Sequence, residues 1–293
     1  MFVNGAFSNY NVDLSSTKPE LTNNIPTKFA YLQHKVFDDW EIAPWELFIF
    51  EDRILGEGSF SKVYLAKWRE TFVVAKVIAP EFVKNKKPMV LREIAIMSKL
   101  HHPNIVQFLG FIDDPFIIVL EYISTGTISS NMRNFNKNQK LSIMQDILRG
   151  LAYLHNRRPL SLIHRDIKPS NILITSSKMA KIADFGLSKF YNTQLTNDAS
   201  SNVANIYNNS SLVGTRRYMA PEVFNCTHSY NHKVDIYSTG ILFYELLESK
   251  THIPYKPFKW FYAPKHLKKI ITEYMIIEDP NARYEALELI KMI

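Results

Sequence analysis

Hydrophobic and polar positions change their rhythm several times along the chain. Residues 1–36 carry no period; Asn, Ser and Thr with scattered Pro dominate, which reads as a poorly ordered leader. Apolar residues return at Trp40-Glu41-Ile42 and Trp45-Glu46-Leu47. Residues 47–50, 62–68 and 71–78 are rich in Val, Phe and Tyr and predict strands. Residues 88–100 predict a helix, because Val90, Ile94 and Met97 fall at i, i+4 and i+7 and Pro88 suits a first turn. Residues 105–111 and 116–121 return to strand character. After Gly126 the spacing becomes helical. Leu141, Met144, Leu148, Leu151 and Leu154 form one stripe, and residues 234–247 and 267–277 are helical too. The fold class is therefore α+β. A leader over 1–46 precedes a domain over 47–293, with a small sheet-rich part at about 47–120, a hinge at 121–124 and a larger helical part at 125–293. A cleft between two unlike lobes is a common place for a ligand. Residues 192–211, rich in Asn and Ser, read as a mobile loop.

Composition narrows the class. The chain is 46% hydrophobic over 293 residues, enough for a substantial core. Its one cysteine, Cys226, excludes an internal disulfide and points to a reducing, cytoplasmic setting. No apolar run nears the roughly 20 residues of a membrane span, and no membrane partner is expected. Neither a signal peptide nor a myristoylation site is expected at the start, where residue 2 is Phe. The formal charge is +7; residues 1–45 hold three Lys against five acids, so the remainder holds 32 basic and 23 acidic residues. No basic run with interleaved aromatics accompanies that excess. It fits a site for polyphosphate and a solvated surface better than a nucleic-acid partner.

The chemistry is concentrated in five places. Gly56-Glu57-Gly58-Ser59-Phe60-Ser61-Lys62-Val63 joins two strands, and its small residues let backbone amides approach phosphate. By itself such a turn usually marks a plain hairpin. It lacks the Gly-Lys-Ser/Thr of a Walker loop, and the strand after it argues against a dinucleotide fold. Lys76 sits in the apolar strand Val73-Val74-Ala75-Lys76-Val77-Ile78, where a lysine normally faces solvent; Glu93 on the next helix can pair with it and aim it at the α/β phosphates. His164-Arg165-Asp166-Ile167-Lys168-Pro169-Ser170-Asn171 supplies a base, Asp166, and a metal-binding amide, Asn171. Asp184-Phe185-Gly186 supplies a metal-binding carboxylate, and Lys168 a cation for the γ-phosphate. The bland alternative, a charged loop with a chance Asp-Phe-Gly, does not explain why all the pieces stand in one order before Ala220-Pro221-Glu222.

These motifs together resemble the eukaryotic protein kinases, and within them the serine/threonine members of the tyrosine-kinase-like group, over roughly residues 47–290. The resemblance implies a two-lobed fold with ATP between the lobes and Mg²⁺, or Mn²⁺ in its place, as the metal. It implies Lys76, Glu93, Asp166 and Lys168 as catalytic residues, and Asn171 and Asp184 as metal ligands. The nucleotide would lie against Leu55, Gly56, Glu57, Gly58, Ser59, Phe60, Ser61, Val63, Val74, Lys76, Leu120, Glu121, Ile123 and Leu173. Val63 and Val74 would cover adenine from above and Leu173 from below; Leu120 would be the gatekeeper, and residues 121–123 would offer backbone hydrogen bonds. Phe108, Met97, Phe185 and His164 would stack as a hydrophobic spine. Glu222 would pair with Arg283, Asp235 would anchor the catalytic loop, and Thr215 would contact Asp166 and Lys168. Protein Ser and Thr hydroxyls are the implied acceptors. Arg165 would bind a phosphate placed on the activation segment, residues 187–215, by an upstream kinase or by the chain itself, with Thr196, Ser200, Ser201, Ser210 and Ser211 as candidates.

Four positions depart from the family pattern. Ser61 replaces the third loop glycine. Val74 occupies the usual small position two before the lysine, which either narrows the adenine site or is absorbed by a register shift. The stretch between Leu247 and Leu267 is short, with Pro254, Pro257, Pro264, Trp260, Phe261 and Tyr262, so a docking helix is reduced or missing. Ile276 stands where Trp is usual. A signalling scaffold with little turnover is the alternative reading, and a small-molecule phosphotransferase a third.

Overall fold

The computed structural model describes residues 39–58, 60–158, 161–191, 215–225, 230–253 and 256–293. The expected leader over 1–36, the loop over 192–211, Cys226 and the candidate phosphosites all lie outside the described residues.

The first lobe is a five-stranded antiparallel sheet. Its strands are β1 (Leu47–Glu57), β2 (Ser61–Trp68), β3 (Thr71–Ile78), β4 (Phe108–Ile112) and β5 (Ile117–Glu121), in the order β1-β2-β3-β5-β4. Alternation along β3 decides what each side chain does. Val73 and Ala75 are fully buried with Ala66, Ile117 and Val119, whereas Val74 and Lys76 point to the opposite face. The pairing of β3 with β2 and with β5 runs without a shift, and Val74 stands opposite Leu120. No register slip absorbs the larger side chain; Val74 keeps its place on the face of Lys76.

Helix α1 (Pro80–Met97) begins earlier than the apolar stripe predicts. Its backbone breaks at Lys86 (φ −137°, ψ 24°), so Pro88 falls in the first turn of the second segment. The preceding turns are polar and Lys-rich, which hides them from a periodicity reading. Val90, Ile94 and Met97 are buried on that second segment. Ahead of β1, residues 40–42 lie along β4. The Ile42 amide donates to the Phe111 carbonyl at 2.8 Å and the Phe111 amide to the Trp40 carbonyl at 2.9 Å. Gly110 makes this approach possible: at φ +157° a Cβ would stand 2.6 Å from the Trp40 oxygen. Residues 40–42 are therefore part of the packing of this sheet.

The second lobe is mainly helical. A single-turn helix α2 (Ile128–Asn131) follows the hinge, then α3 (Lys137–His155), whose Asn136 cap and Gln139 form a capping box. Short strands β6 (Ser161–Ile163), β7 (Ile172–Ile174), β8 (Ala180–Ile182) and β9 (Lys189–Tyr191) pair as β6-β9 and β7-β8. They are too short to leave a period in the sequence. Beyond them come α4 (Pro221–Phe224), α5 (Lys233–Glu248), α6 (Lys265–Ile270) and α7 (Ala286–Met292). Nearly every residue of α5 is buried, including Asp235 and Glu245. The helix expected over 267–277 is α-helical only to Ile270. It widens into a π turn, Ile271–Met275, closed by the Ile276 amide on the Ile271 carbonyl at 3.0 Å. Ile276 then packs on Gly240 of α5, where a Cβ would meet its side chain at 2.6 Å.

No helix forms among the described residues between α5 and α6. Instead the buried Glu248 carboxylate accepts the amides of Phe261, Tyr262 and Ala263, each at 3.0 Å. Phe258 and Trp260 pack on Tyr244 at ring distances of 4.8 and 4.9 Å, while Phe261 and Tyr262 are exposed.

Candidate active site

Three elements deliver the first cluster. Lys76 from β3 donates to Glu93 of α1 at 2.7 Å and reaches Asp184 at 3.5 Å. Burial alone would push the Lys76 ammonium down. The two carboxylates more than offset this and hold its pKa above the ordinary lysine range. Desolvation likewise works against Asp184, but the Lys76 charge, then His164, draw its carboxyl below the usual range. Both groups are therefore charged at neutral pH.

The catalytic-loop residues are tied to the buried helix beneath them. Asp235, with no exposed surface, accepts the amides of His164 and Arg165, each at 2.8 Å, and the ring of His155 at 2.9 Å. Burial holds the His155 pKa down despite Asp235, so the ring is neutral and its Nε2–H is the donor. These bonds stabilise a left-handed backbone at Arg165 (φ 71°), and Asp184 is left-handed as well (φ 65°).

Asp166 is encircled. Its Oδ1 accepts the Thr215 amide at 3.1 Å and the Thr215 hydroxyl at 3.0 Å. Its Oδ2 accepts Asn171 Nδ2 at 3.0 Å and pairs with Lys168 at 2.7 Å; Lys168 also donates to the Thr215 hydroxyl at 2.9 Å. Asn171 uses its Nδ2 on Asp166, which leaves its amide oxygen for a hard cation. Asp184 is half exposed toward the cleft and offers carboxylate oxygens of the same hardness. This donor set fits Mg²⁺ or Mn²⁺, which hold oxygen ligands.

Val63, Val74, Leu120 and Leu173, the apolar residues expected around adenine, are each partly exposed. At the hinge, the Glu121 amide already donates to the Gln107 carbonyl at 3.0 Å, and its carboxylate pairs with Lys181. Among the described residues no hydrogen bond engages the Ile123 backbone. In the glycine loop, Gly58 donates to the Ser61 carbonyl at 2.8 Å, Glu57 pairs with Lys62 at 3.4 Å, and Leu55 is exposed. The Phe60 ring stacks on Phe82 of α1 at 4.5 Å, so what Phe60 presents to the loop is its backbone. Gly56 is half-buried opposite Val63. Ser59 lies outside the described residues.

Met97, Phe108, His164 and Phe185 are all buried, with His164 and Phe185 edge to face at 5.0 Å. Arg283 holds Glu222 through two bonds of 2.6 and 2.9 Å with its side chain fully buried. Arg165 is engaged by the Leu187 carbonyl and the Tyr230 hydroxyl. Sequence reasoning missed the Lys181–Glu121 pair behind the hinge and the tilted ring contact of Trp40 with Phe108 at 5.2 Å. Neither leaves a local pattern, since each joins residues far apart in the chain.

Comparison with known proteins agrees with this arrangement. A protein kinase domain model matches residues 50–293. The chain belongs to the protein kinase family. It is 36% identical over 236 residues to Serine/threonine-protein kinase VIK of Arabidopsis thaliana, covering 75% of this chain and 51% of that protein. Against Serine/threonine-protein kinase CTR1 of the same plant the identity is 35% over 218 residues, 71% of this chain and 25% of the relative. Against Calmodulin-binding receptor-like cytoplasmic kinase 3 it is 33% over 244 residues, covering 78% and 45%. The chain thus spans about half the length of these relatives or less. The first two of these relatives are named as serine/threonine-protein kinases, the type that the resemblance implies. Among the described residues, no helix is long and apolar enough to cross a membrane.

Proposed function

We propose that this chain is an active serine/threonine protein kinase that transfers the γ-phosphoryl group of ATP, with Mg²⁺, to Ser or Thr hydroxyls of proteins. The observation that carries the reading is the Lys76 ammonium held between Glu93 at 2.7 Å and Asp184 at 3.5 Å. One cation thereby joins the sheet, the helix of the first lobe and the proposed metal carboxylate. Bound Mg·ATP would supply the transferable phosphoryl group, with Asn171 and Asp184 at the metal and Lys76 at the phosphates. Asp166 would orient the acceptor hydroxyl and take its proton. Lys168 beside it neutralises charge that develops on the transferred group. Catalysis then consists of positioning and charge neutralisation, the pattern expected for phosphoryl transfer.

Val63, Val74 and Leu173 would sandwich adenine, and the Ile123 backbone would receive its polar edge. Phosphorylation of the activation segment would act by releasing Arg165 from Leu187 and Tyr230, by an upstream kinase or in the chain's own reaction. A cytoplasmic setting fits a chain with one cysteine and a relative whose name carries that location. The experiment is transfer of labelled phosphate from ATP with Mg²⁺ to a generic protein acceptor, followed by phosphoamino-acid analysis. Phosphoserine or phosphothreonine made by the unmodified protein and absent with Asp184→Asn is the expected result. No transfer after pre-phosphorylation by another kinase would leave a nucleotide-binding scaffold.

A further inference from the structure

We propose that the loop and short helix within residues 249–272 dock on a bilayer of anionic phospholipids, with Phe261 and Tyr262 entering the headgroup layer and the lysines around them facing the lipid phosphates. Such a surface needs neither ATP nor the catalytic residues. The chain carries a net charge of +7, and residues 249–272 hold six of those units, with six Lys, no Arg and no acid; the other 269 residues hold 29 basic and 28 acidic. The excess is thus gathered in one stretch rather than spread over the surface. Sequence reasoning missed that residues 256–269 are themselves a basic run with interleaved aromatics. The lack of a spanning apolar run argues against crossing a bilayer, not against lying on one.

The tip of this surface is held in place from below. Glu248 accepts the amides of Phe261, Tyr262 and Ala263, and Phe258 and Trp260 pack inward on Tyr244. The next two rings are left outward, Phe261 70% and Tyr262 75% exposed. Docking therefore orders little further chain. Lys250 Nζ stands 4.5 Å over the Phe261 ring and donates to the Lys259 carbonyl at 2.9 Å, which puts one cation at the tip. Lys259 and Lys265 are two and three residues from it, within roughly 11 Å of chain. That is about one Debye length, so all three cations act on the same patch of lipid charge whatever their direction. On α6, Leu267 and Ile270 are buried, while Lys265, Lys268 and Lys269 are exposed at i, i+3 and i+4 on the opposite face. Among the described residues Lys256, Lys259, Lys265 and Lys268 make no ion pair. The acids that touch the stretch offset little of this charge. Glu245 and Glu248 lie buried beneath it, on backbone amides, and Glu273 reaches only Lys269, at 3.8 Å. The chemistry favours lipid over other anions. Protein interfaces are depleted in Lys and enriched in Arg, the reverse of this stretch. Base stacking needs open ring faces, but Lys250 covers one face of Phe261, and the Phe261 and Tyr262 rings are tilted by 49°. Aromatic tips ringed by lysines suit the boundary between headgroups and water.

The test is sedimentation of the whole chain with vesicles of phosphatidylcholine alone and of phosphatidylcholine with about 30% phosphatidylserine, at about 0.1 M salt. Binding to the anionic vesicles only, weakening as salt rises, is the expected result. Lys259→Ala/Lys265→Ala/Lys268→Ala should weaken it about a hundredfold, at roughly fivefold per lysine. Phe261→Ala/Tyr262→Ala, which leaves the charge unchanged, should weaken it about tenfold. All five side chains are exposed, so an unchanged melting temperature reports that each variant is folded. Lys84→Ala/Lys86→Ala removes two exposed lysines from α1 and should leave binding as it was. No sedimentation with the anionic vesicles overturns the proposal, and so does an equal loss in the α1 variant. Unchanged affinity in the aromatic variant overturns it as well, because charge alone would then account for the contact. Tighter binding to oligouridylate or to polyglutamate than to the anionic vesicles, lost in the same variants, overturns lipid as the partner in favour of nucleic acid or an acidic protein. Phosphate transfer enters none of these measurements, so their failure leaves the kinase reading standing.

Discussion

At the scale of single residues, charge and burial decide behaviour. Asp166 has both oxygens engaged, yet it is the one carboxylate in the cleft shared by Thr215, Asn171 and Lys168. Asp166→Asn should lower kcat by about 10²–10⁴-fold, the usual worth of a positioned general base. Stabilisation by Mg·ATP in a thermal shift should persist, because Asp166 is not among the expected metal ligands. Acid sensitivity follows from another carboxylate. Desolvation opposes the ionised form of Glu285, but His232 at 2.8 Å and Lys233 at 2.7 Å win and lower its pKa to about 2 from 4.5. Its contribution is therefore complete above pH 4.5 and fades as the pH falls toward about 2. Neutral His155 acts in the same direction from higher pH. Its unfolded form takes a proton below about 6.5 while burial denies one to the folded ring. Denaturant midpoints measured against pH should fall on acidification, and Glu285→Gln should flatten the limb below pH 4.5.

At the scale of elements, local pattern and long-range packing compete. The strand over 71–78 was legible from its Val and Phe content, and the helix over 137–155 from the 3.6-residue stripe of Leu141, Met144, Leu148, Leu151 and Leu154. Their outcomes are also informative where the reading left a choice. Val74 stays opposite Leu120 because the strands on both sides pair without a shift. The segment at 40–42 was legible as ordered but not as a partner of β4, since that contact spans about seventy residues. Gly110→Ala tests it: a Cβ placed 2.6 Å from the Trp40 oxygen at positive φ should destabilise the protein by about 1–3 kcal/mol. A fall in melting temperature with the kinase motifs untouched is the expected result; no fall would show that this contact adds nothing.

At the scale of the whole molecule, buried charge holds the second lobe together. Arg283 is fully buried, grips Glu222 with two bonds, and also donates to the carbonyls of Ile277, Lys233 and Glu278. Arg283→Met removes both bonds to Glu222 together with those to three backbone carbonyls and should cost about 3–5 kcal/mol. Lys269→Ala, which removes an exposed pair with Glu273 at 3.8 Å, should cost less than about 0.5 kcal/mol. Urea unfolding of the two variants separates these cases, and equal midpoints would contradict the buried-pair argument. The sequence by itself determined the chemistry and the order in which it is laid out. The motifs around Lys76, Glu93, Asp166, Asn171 and Asp184 are local strings, and under the proposed function their residue types are those that phosphate and metal require. It also determined the long elements, because a period repeated over many residues leaves one buried face. Tertiary structure alone decided which distant groups meet: Trp40 on Phe108, Lys181 on Glu121, Glu248 under three backbone amides, and Tyr218 on Glu245. Such meetings depend on how whole elements pack, and packing is a property of the closed fold that no local window of residues contains.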